Sequence, residues 1–196
     1  MGKSYNSPNF NGKVFKNPLP TVVTKQGAFL KILRENFFDK NKHLREPQTP
    51  LGPFKTHLPT LQHLPPDELR VTWLGHSTLL IDIDGKRFLT DSVWAERVSP
   101  FSFIGPKRFF EPPLPLKELP PLDGIIISHD HYDHLDASTV RTLAQNHFFC
   151  PLGVGARLQG FGVAPGNITE FDWWTEKEIA PGFKIAATPA RHFSGR

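Results

Sequence analysis

Gly124-Ile125-Ile126-Ile127-Ser128-His129-Asp130-His131-Tyr132-Asp133-His134 is the stretch that decides the fold. Its first five residues form a short, β-branched, uninterrupted apolar run, the pattern of a strand covered on both faces. His129 and His131 stand two apart, so an extended backbone sends both side chains to one side. Asp133 and His134 follow where the chain must turn, and Asp136 is placed to cap a helix running from about Ala137 to Gln145. Imidazole and carboxylate donors thus converge at a strand end beside a helix start. That donor set suits zinc, with manganese and iron as alternatives. A solvated polar loop has no reason to gather three histidines and a suitably spaced carboxylate into six positions. The stretch reads as a metal site.

Upstream, Val71 to Gly75 and Thr78 to Asp84 read as strands. Asp84-Gly85 is a tight-turn signal after which Lys86 to Thr90 pairs back as a hairpin. Downstream, Phe148 to Leu152 is a strand, Gly153 to Gly160 a helix, and Thr169–Phe171 and Lys184–Thr188 further strands. Ahead of these, residues 1–27 read as an irregular extension, Ala28 to Phe38 as an amphipathic helix, and Asn41 to Pro66 as a proline-broken linker. The domain reading is 1–69 for extension, helix and linker, and 70–196 for the strand-rich domain.

A chain of 196 residues with 38% apolar and 21% charged content can bury one real core. Its 20 prolines cluster before the strands and again between Pro106 and Pro121, which predicts extended coverings rather than ladder strands. The net charge of +4 permits anionic substrates or lipid headgroups and argues against nucleic acid as a partner. Cys150 stands alone, which excludes an intrachain disulfide, and beside Phe148 and Phe149 it reads as a core residue. No apolar run reaches membrane-spanning length and the N-terminus lacks a secretory core, so the expectation is a cytoplasmic protein, peripheral to membrane at most.

His-x-His-x-Asp-His after an Ile-rich strand resembles the signature of the metallo-β-lactamase-fold hydrolases. Val71-Thr72-Trp73-Leu74-Gly75-His76-Ser77-Thr78, Phe88-Leu89-Thr90-Asp91-Ser92-Val93-Trp94, Ala95-Glu96-Arg97-Val98-Ser99-Pro100 and Thr188-Pro189-Ala190-Arg191-His192-Phe193-Ser194 resemble the branch of N-acyl-phosphatidylethanolamine-hydrolysing phospholipase D and its bacterial relatives. The opening Asn9-Phe10-Asn11-Gly12-Lys13-Val14-Phe15-Lys16-Asn17-Pro18 resembles the N-terminal extension of the bacterial members. The resemblance implies an α+β fold, the αββα sandwich, of which this chain holds the N-terminal half plus an extension. It implies two divalent metal ions, with zinc as the first expectation. His129, His131 and His192 would hold one; Asp133 and His134, the catalytic pair, would supply part of the second site. Asp91 would orient a ligand histidine from behind, against the alternative of a plain turn carboxylate. His76, a single strand histidine, reads as structural.

The same resemblance implies a phosphodiesterase acting on N-acyl phospholipids through a metal-activated water, with a lactonase like ascorbate-6-phosphate lactonase as the alternative. The family's bridging Asp and final His cannot be placed before Arg196. The expectations are therefore an incomplete domain, an apolar sheet face left for a second copy to cover in a homodimer, and, as a third reading, a non-catalytic remnant. Phe101 to Phe110 mixes rings with Lys107 and Arg108 and offers either a grip on anionic lipid or a cover for the core.

Overall fold

The computed structural model describes residues 4–21, 44, 46–99, 103 and 105–192. The helix expected over Ala28 to Phe38 lies outside the described residues. Two compact units divide the chain: residues 1–52 with 190–193, and residues 53–189 with 194–196. In the first unit, residues 4–21 are irregular apart from a bridge pairing Phe10 with Phe15, whose rings sit 4.9 Å apart with Tyr5 against them. The Asn11 carboxamide oxygen accepts from the amides of Lys13 and Val14 and makes the turn between those rings.

The second unit is built on a six-stranded sheet in the order β1 (Leu69–Gly75), β2 (Thr78–Ile83), β3 (Lys86–Thr90), β4 (Gly124–Ile126), β5 (Phe148–Pro151) and β6 (Ile168–Phe171). The first two pairings are antiparallel and the last three parallel. Asp84 and Gly85 join β2 to β3 with φ of 46° and 70°, the doubly left-handed turn that Asp-Gly favours. α2 (Ala137–Thr142) links β4 to β5 and α3 (Val154–Gly160) links β5 to β6; a shorter helix, α1 (Leu58–Gln62), precedes the sheet. Mixed sheet and segregated helices give the α+β class expected.

Strand alternation divides the core. Leu74, Leu80, Leu89, Ile125, Phe148 and Cys150 face the helices and pack on Val140, Val154 and Leu158. Phe88, Phe149 and Phe171 face the other way, under the hairpin of β7 (Glu176–Ala180) and β8 (Phe183–Ala186). Phe183 stacks on Phe88 at 5.6 Å. Gly124 is required here, because an added Cβ would sit 2.4 Å from the Phe149 ring. On β1 the same face carries Leu69, Val71 and Trp73, all exposed. Cys150 is buried, and burial pushes its thiol far up, as expected of a core residue.

Several elements depart from the sequence reading. The strand expected to reach Ser128 ends at Ile126: the Ile127 amide still reaches the Phe149 carbonyl, but the Ser128 amide leaves the ladder for the Asp91 carboxylate. α2 stops at Thr142, where Asn146 folds back and both its backbone and side-chain amides donate to the Leu143 carbonyl. The supposed linker is partly structural. Pro59 opens α1, Leu61 is buried in the core, and its carbonyl accepts from Arg87. β7 was hidden by its charge, since Glu176, Lys177 and Glu178 are solvent-facing. Among the described residues no helix is long and apolar enough to cross a membrane.

Candidate metal centre

The centre forms at the C-terminal ends of β3 and β4. Beyond Ile126 the chain leaves the sheet, and residues 128–134 fold over the strand ends before α2 begins. Asp136 caps α2 as read from sequence, accepting from the amides of Ser138 and Thr139 and also from that of Ala95. Asp130, a variable position of the motif, is buried and bonded to Arg157 of α3 at 2.8 Å. Asp136 at one end and Asp130 in the middle thus pin the histidine segment to the helical layer.

Asp91 organises the donors. Its backbone is left-handed, φ 42°, and its carboxylate is nearly buried. One oxygen accepts from the Ser128 amide at 2.7 Å; the other accepts from the Ser128 hydroxyl at 2.8 Å and lies 2.9 Å from His134 Nδ1. A carboxylate only accepts, so Nδ1 of His134 carries the proton and Nε2 is the atom left to face outward. The Ser128 hydroxyl has given its one proton to Asp91, so at 2.9 Å it must accept from His129 Nδ1. That fixes the His129 tautomer too, leaving a lone pair on Nε2, which lies 3.1 Å from His131 Nδ1.

The nitrogens of His129 and His134 that face away from Ser128 and Asp91 thus keep their lone pairs for the side of the motif. His134 Nε2 lies 3.7 Å from Asp133 Oδ2, and both are acceptors when the imidazole is neutral. Without a cation such facing pairs repel. Burial works against charge on His134, but the hydrogen bond and charge of Asp91, with the charge of Asp133, outweigh it and raise its pKa above the usual imidazole value. Burial likewise opposes ionisation of Asp133. The His76 hydrogen bond, its own backbone amide and the charges of His134 and His76 still hold its carboxyl below the ordinary range. These donors fit a divalent cation in kind, in tautomer and in orientation.

His129, His131, Asp133 and His134 are brought together with Asp91 behind them. His192 is exposed and belongs to the first unit, where the Asn17 amide donates to its carbonyl. His76, read from sequence as structural, has its Nε2 3.1 Å from Asp133 Oδ2. The ligating atoms of His76, Asp133 and His134 all lie within 4.8 Å of one another. The sequence held one signal for it: Gly75-His76-Ser77 is a polar break between two apolar strands, and the hairpin turn there projects towards the motif. Arg108 and Lys107, weighed as a phosphate grip, are engaged elsewhere. Arg108 donates to the carbonyls of Ala95 and Val93, and Lys107 pairs with Glu96.

Residues 86–196 match the family described as Beta-lactamase superfamily domain. An uncharacterised protein of Mycobacterium tuberculosis is 39% identical over 98% of this chain and 52% of its own length. N-acyl-phosphatidylethanolamine-hydrolyzing phospholipase D 1 of Caenorhabditis elegans is 36% identical over 99% of this chain and 58% of its own. A metal-dependent hydrolase of Polaromonas is 28% identical over 63% of this chain and 43% of its own. The chain thus spans about half the length of the curated relatives it matches. With the matched segment running from β3 through the histidine motif, the chain belongs to the β-lactamase superfamily.

Proposed function

We propose that the protein is a metal-dependent hydrolase, a phosphodiesterase of phospholipase D type acting on N-acyl phospholipids. The observation that carries this is the gathering of His129, His131, Asp133 and His134 at one strand end, with Asp91 orienting the segment through Ser128 and His134. The 36% identity to the Caenorhabditis elegans phospholipase supports the substrate class. His129 and His131, with His192, are assigned to one divalent ion, and Asp133 and His134 to a second; zinc suits the donors best. Bound there, such ions supply Lewis acidity towards a phosphoryl oxygen and a water acidified towards neutral pH. The chain's own part is to hold the imidazoles neutral at the ligating nitrogens, to keep their other nitrogens protonated against Ser128 and Asp91, and to balance charge with Asp133.

The test is product analysis with the full-length protein and N-acyl-phosphatidylethanolamine, beside elemental analysis of wild type and His131→Ala. Release of N-acylethanolamine and phosphatidic acid, lost together with most of the metal in His131→Ala, is the expected result. Opening of a lactone without phosphodiester cleavage would replace the substrate class and keep the centre. Equal metal in the two proteins would sink the ligand assignment.

A further inference from the structure

We propose that His76 is a direct metal ligand, the third protein donor of the position held by Asp133 and His134. The inference rests on the metal-centre reading above and adds to it a residue from outside the histidine motif. Donors bound at 2.0–2.1 Å around a tetrahedral ion stand about 3.4 Å apart. The edges His76 Nε2 to Asp133 Oδ2 and His134 Nε2 to Asp133 Oδ2 are 3.1 and 3.7 Å, on either side of that value. The same Asp133 oxygen is shared by both edges, and the ligating atoms of all three residues lie within 4.8 Å of one another. The His76 and His134 rings approach edge to face at 5.9 Å, so both imidazoles flank the Asp133 carboxylate.

The local backbone is built to keep His76 there. It occupies the two-residue turn between β1 and β2 with φ 47°, a left-handed conformation unusual for a residue with a Cβ. The turn is fastened from both sides. The Trp73 indole donates to the His76 carbonyl at 2.9 Å, and the Ser77 hydroxyl donates to the Asp133 carbonyl at 2.7 Å. The second of these ties the backbone carrying His76 to the backbone carrying its neighbour in the cluster. A strained turn clamped to the motif is what positioning of a functional side chain requires. A histidine serving only the fold would be expected inside it, whereas this side chain is 57% exposed and meets the rest of the molecule at Asp133 and His134.

The experiment is a cobalt(II) titration of the metal-free full chain, followed by absorption, in a His131→Ala background that disables the other position. Three proteins are compared: His131→Ala alone, His131→Ala with His76→Asn, and His131→Ala with His76→Cys. Asparagine tolerates the left-handed backbone, so folding is retained while the imidazole is lost. The first protein is expected to bind one cobalt ion without a thiolate band, since Cys150 is buried. His76→Asn should raise Kd about 100-fold or more, beyond what loss of a hydrogen-bonding neighbour usually causes. His76→Cys should produce a near-ultraviolet thiolate-to-cobalt charge-transfer band, which arises only when residue 76 touches the ion. No band with His76→Cys overturns the inference, whether or not His76→Asn weakens binding, and leaves the centre standing. No cobalt bound by His131→Ala itself overturns the centre and the inference together.

Discussion

Asp82 and Asp91 are both buried carboxylates on the same hairpin, and they do opposite things with their surroundings. Asp82, 1% exposed, accepts from Arg70 across β1 and from Arg87 across β2–β3. The arginines spend further N–H groups on the carbonyls of His63 and Leu61. A guanidinium only donates, so this network closes on itself and presents nothing to a ligand. Asp91 accepts from Ser128 and His134, and an imidazole has a second nitrogen. Each histidine fixed on one side, through Asp91 or through Ser128, is left with a lone pair aimed on the other. A buried carboxylate is therefore structural or functional according to its partners' unused atoms, not its own burial.

That contrast predicts two separable failures. Asp82→Ala strands two arginines, one of them buried, and should cost about 3–5 kcal/mol of stability. Metal bound per folded molecule should not change. Urea denaturation and elemental analysis of the folded fraction check both halves, and a parallel loss of metal would erase the distinction. Asp91→Asn should do the reverse in emphasis, weakening metal binding by about 10–100-fold. The amide offers an N–H where His134 needs an acceptor, so the imidazole loses its fixed tautomer. Competition titration against a chelator gives the measurement, and an unchanged Kd would reduce Asp91 to a turn residue.

Acid separates the two networks again. Burial alone would raise the Asp82 carboxyl, but the hydrogen bonds and charges of Arg87 and Arg70 outweigh it and hold it below the ordinary 3.8. With the folded value depressed, its contribution is fully present above the unfolded value. It is lost as pH falls from about 4 through the folded value. Metal should leave at higher pH, because protons compete for imidazoles whose ordinary value is about 6.5. Wild type followed from neutral pH downwards should release metal first and lose the Asp82 contribution afterwards. The stability gap to Asp82→Ala should narrow only below about pH 4. A gap that closes already near pH 6 would mean that Asp82 is linked to the centre.

The two networks also differ in how much of them could be read in advance. The histidine segment was legible because its donors are contiguous and imidazole chemistry shows in the residue names. Asp136 was legible because a cap acts within three residues of itself. The Asp82 network was not: its members are brought together by register, and a charged pair inside an apolar strand looks like noise until β1, β2 and β3 are aligned. His76 reaches Asp133 across 57 positions and through a hairpin turn, which no local pattern encodes. Leu61 was obscured by the prolines around it, and β7 by charges that face water. Pattern reading recovers what is local and periodic; it loses what depends on two distant segments sharing one place.

The smallest effects belong to Lys107 and Arg108, where neighbours in sequence fall on opposite sides of the same distinction. Arg108 resembles the arginines of the closed network. It is half-buried, burial lowers its pKa, and its donors end on the carbonyls of Ala95 and Val93. Arg108→Ala leaves those carbonyls without a partner and should cost about 1–3 kcal/mol. Lys107 is different: its ammonium meets Glu96 at 2.5 Å with both side chains more than half exposed. Water replaces such a pair with little loss, so Lys107→Ala should leave the melting temperature unchanged. The same variant tests the loop as a lipid grip. A phosphate contact made equally in ground and transition states would show as a raised KM at constant kcat for an anionic lipid. Lys107 already has a carboxylate partner, and Arg108 is held in place by the carbonyls of Ala95 and Val93. The expected result is therefore an unchanged KM for both anionic and neutral substrates. A raised KM confined to the anionic one would show that Lys107 exchanges Glu96 for phosphate and serves the substrate rather than its loop.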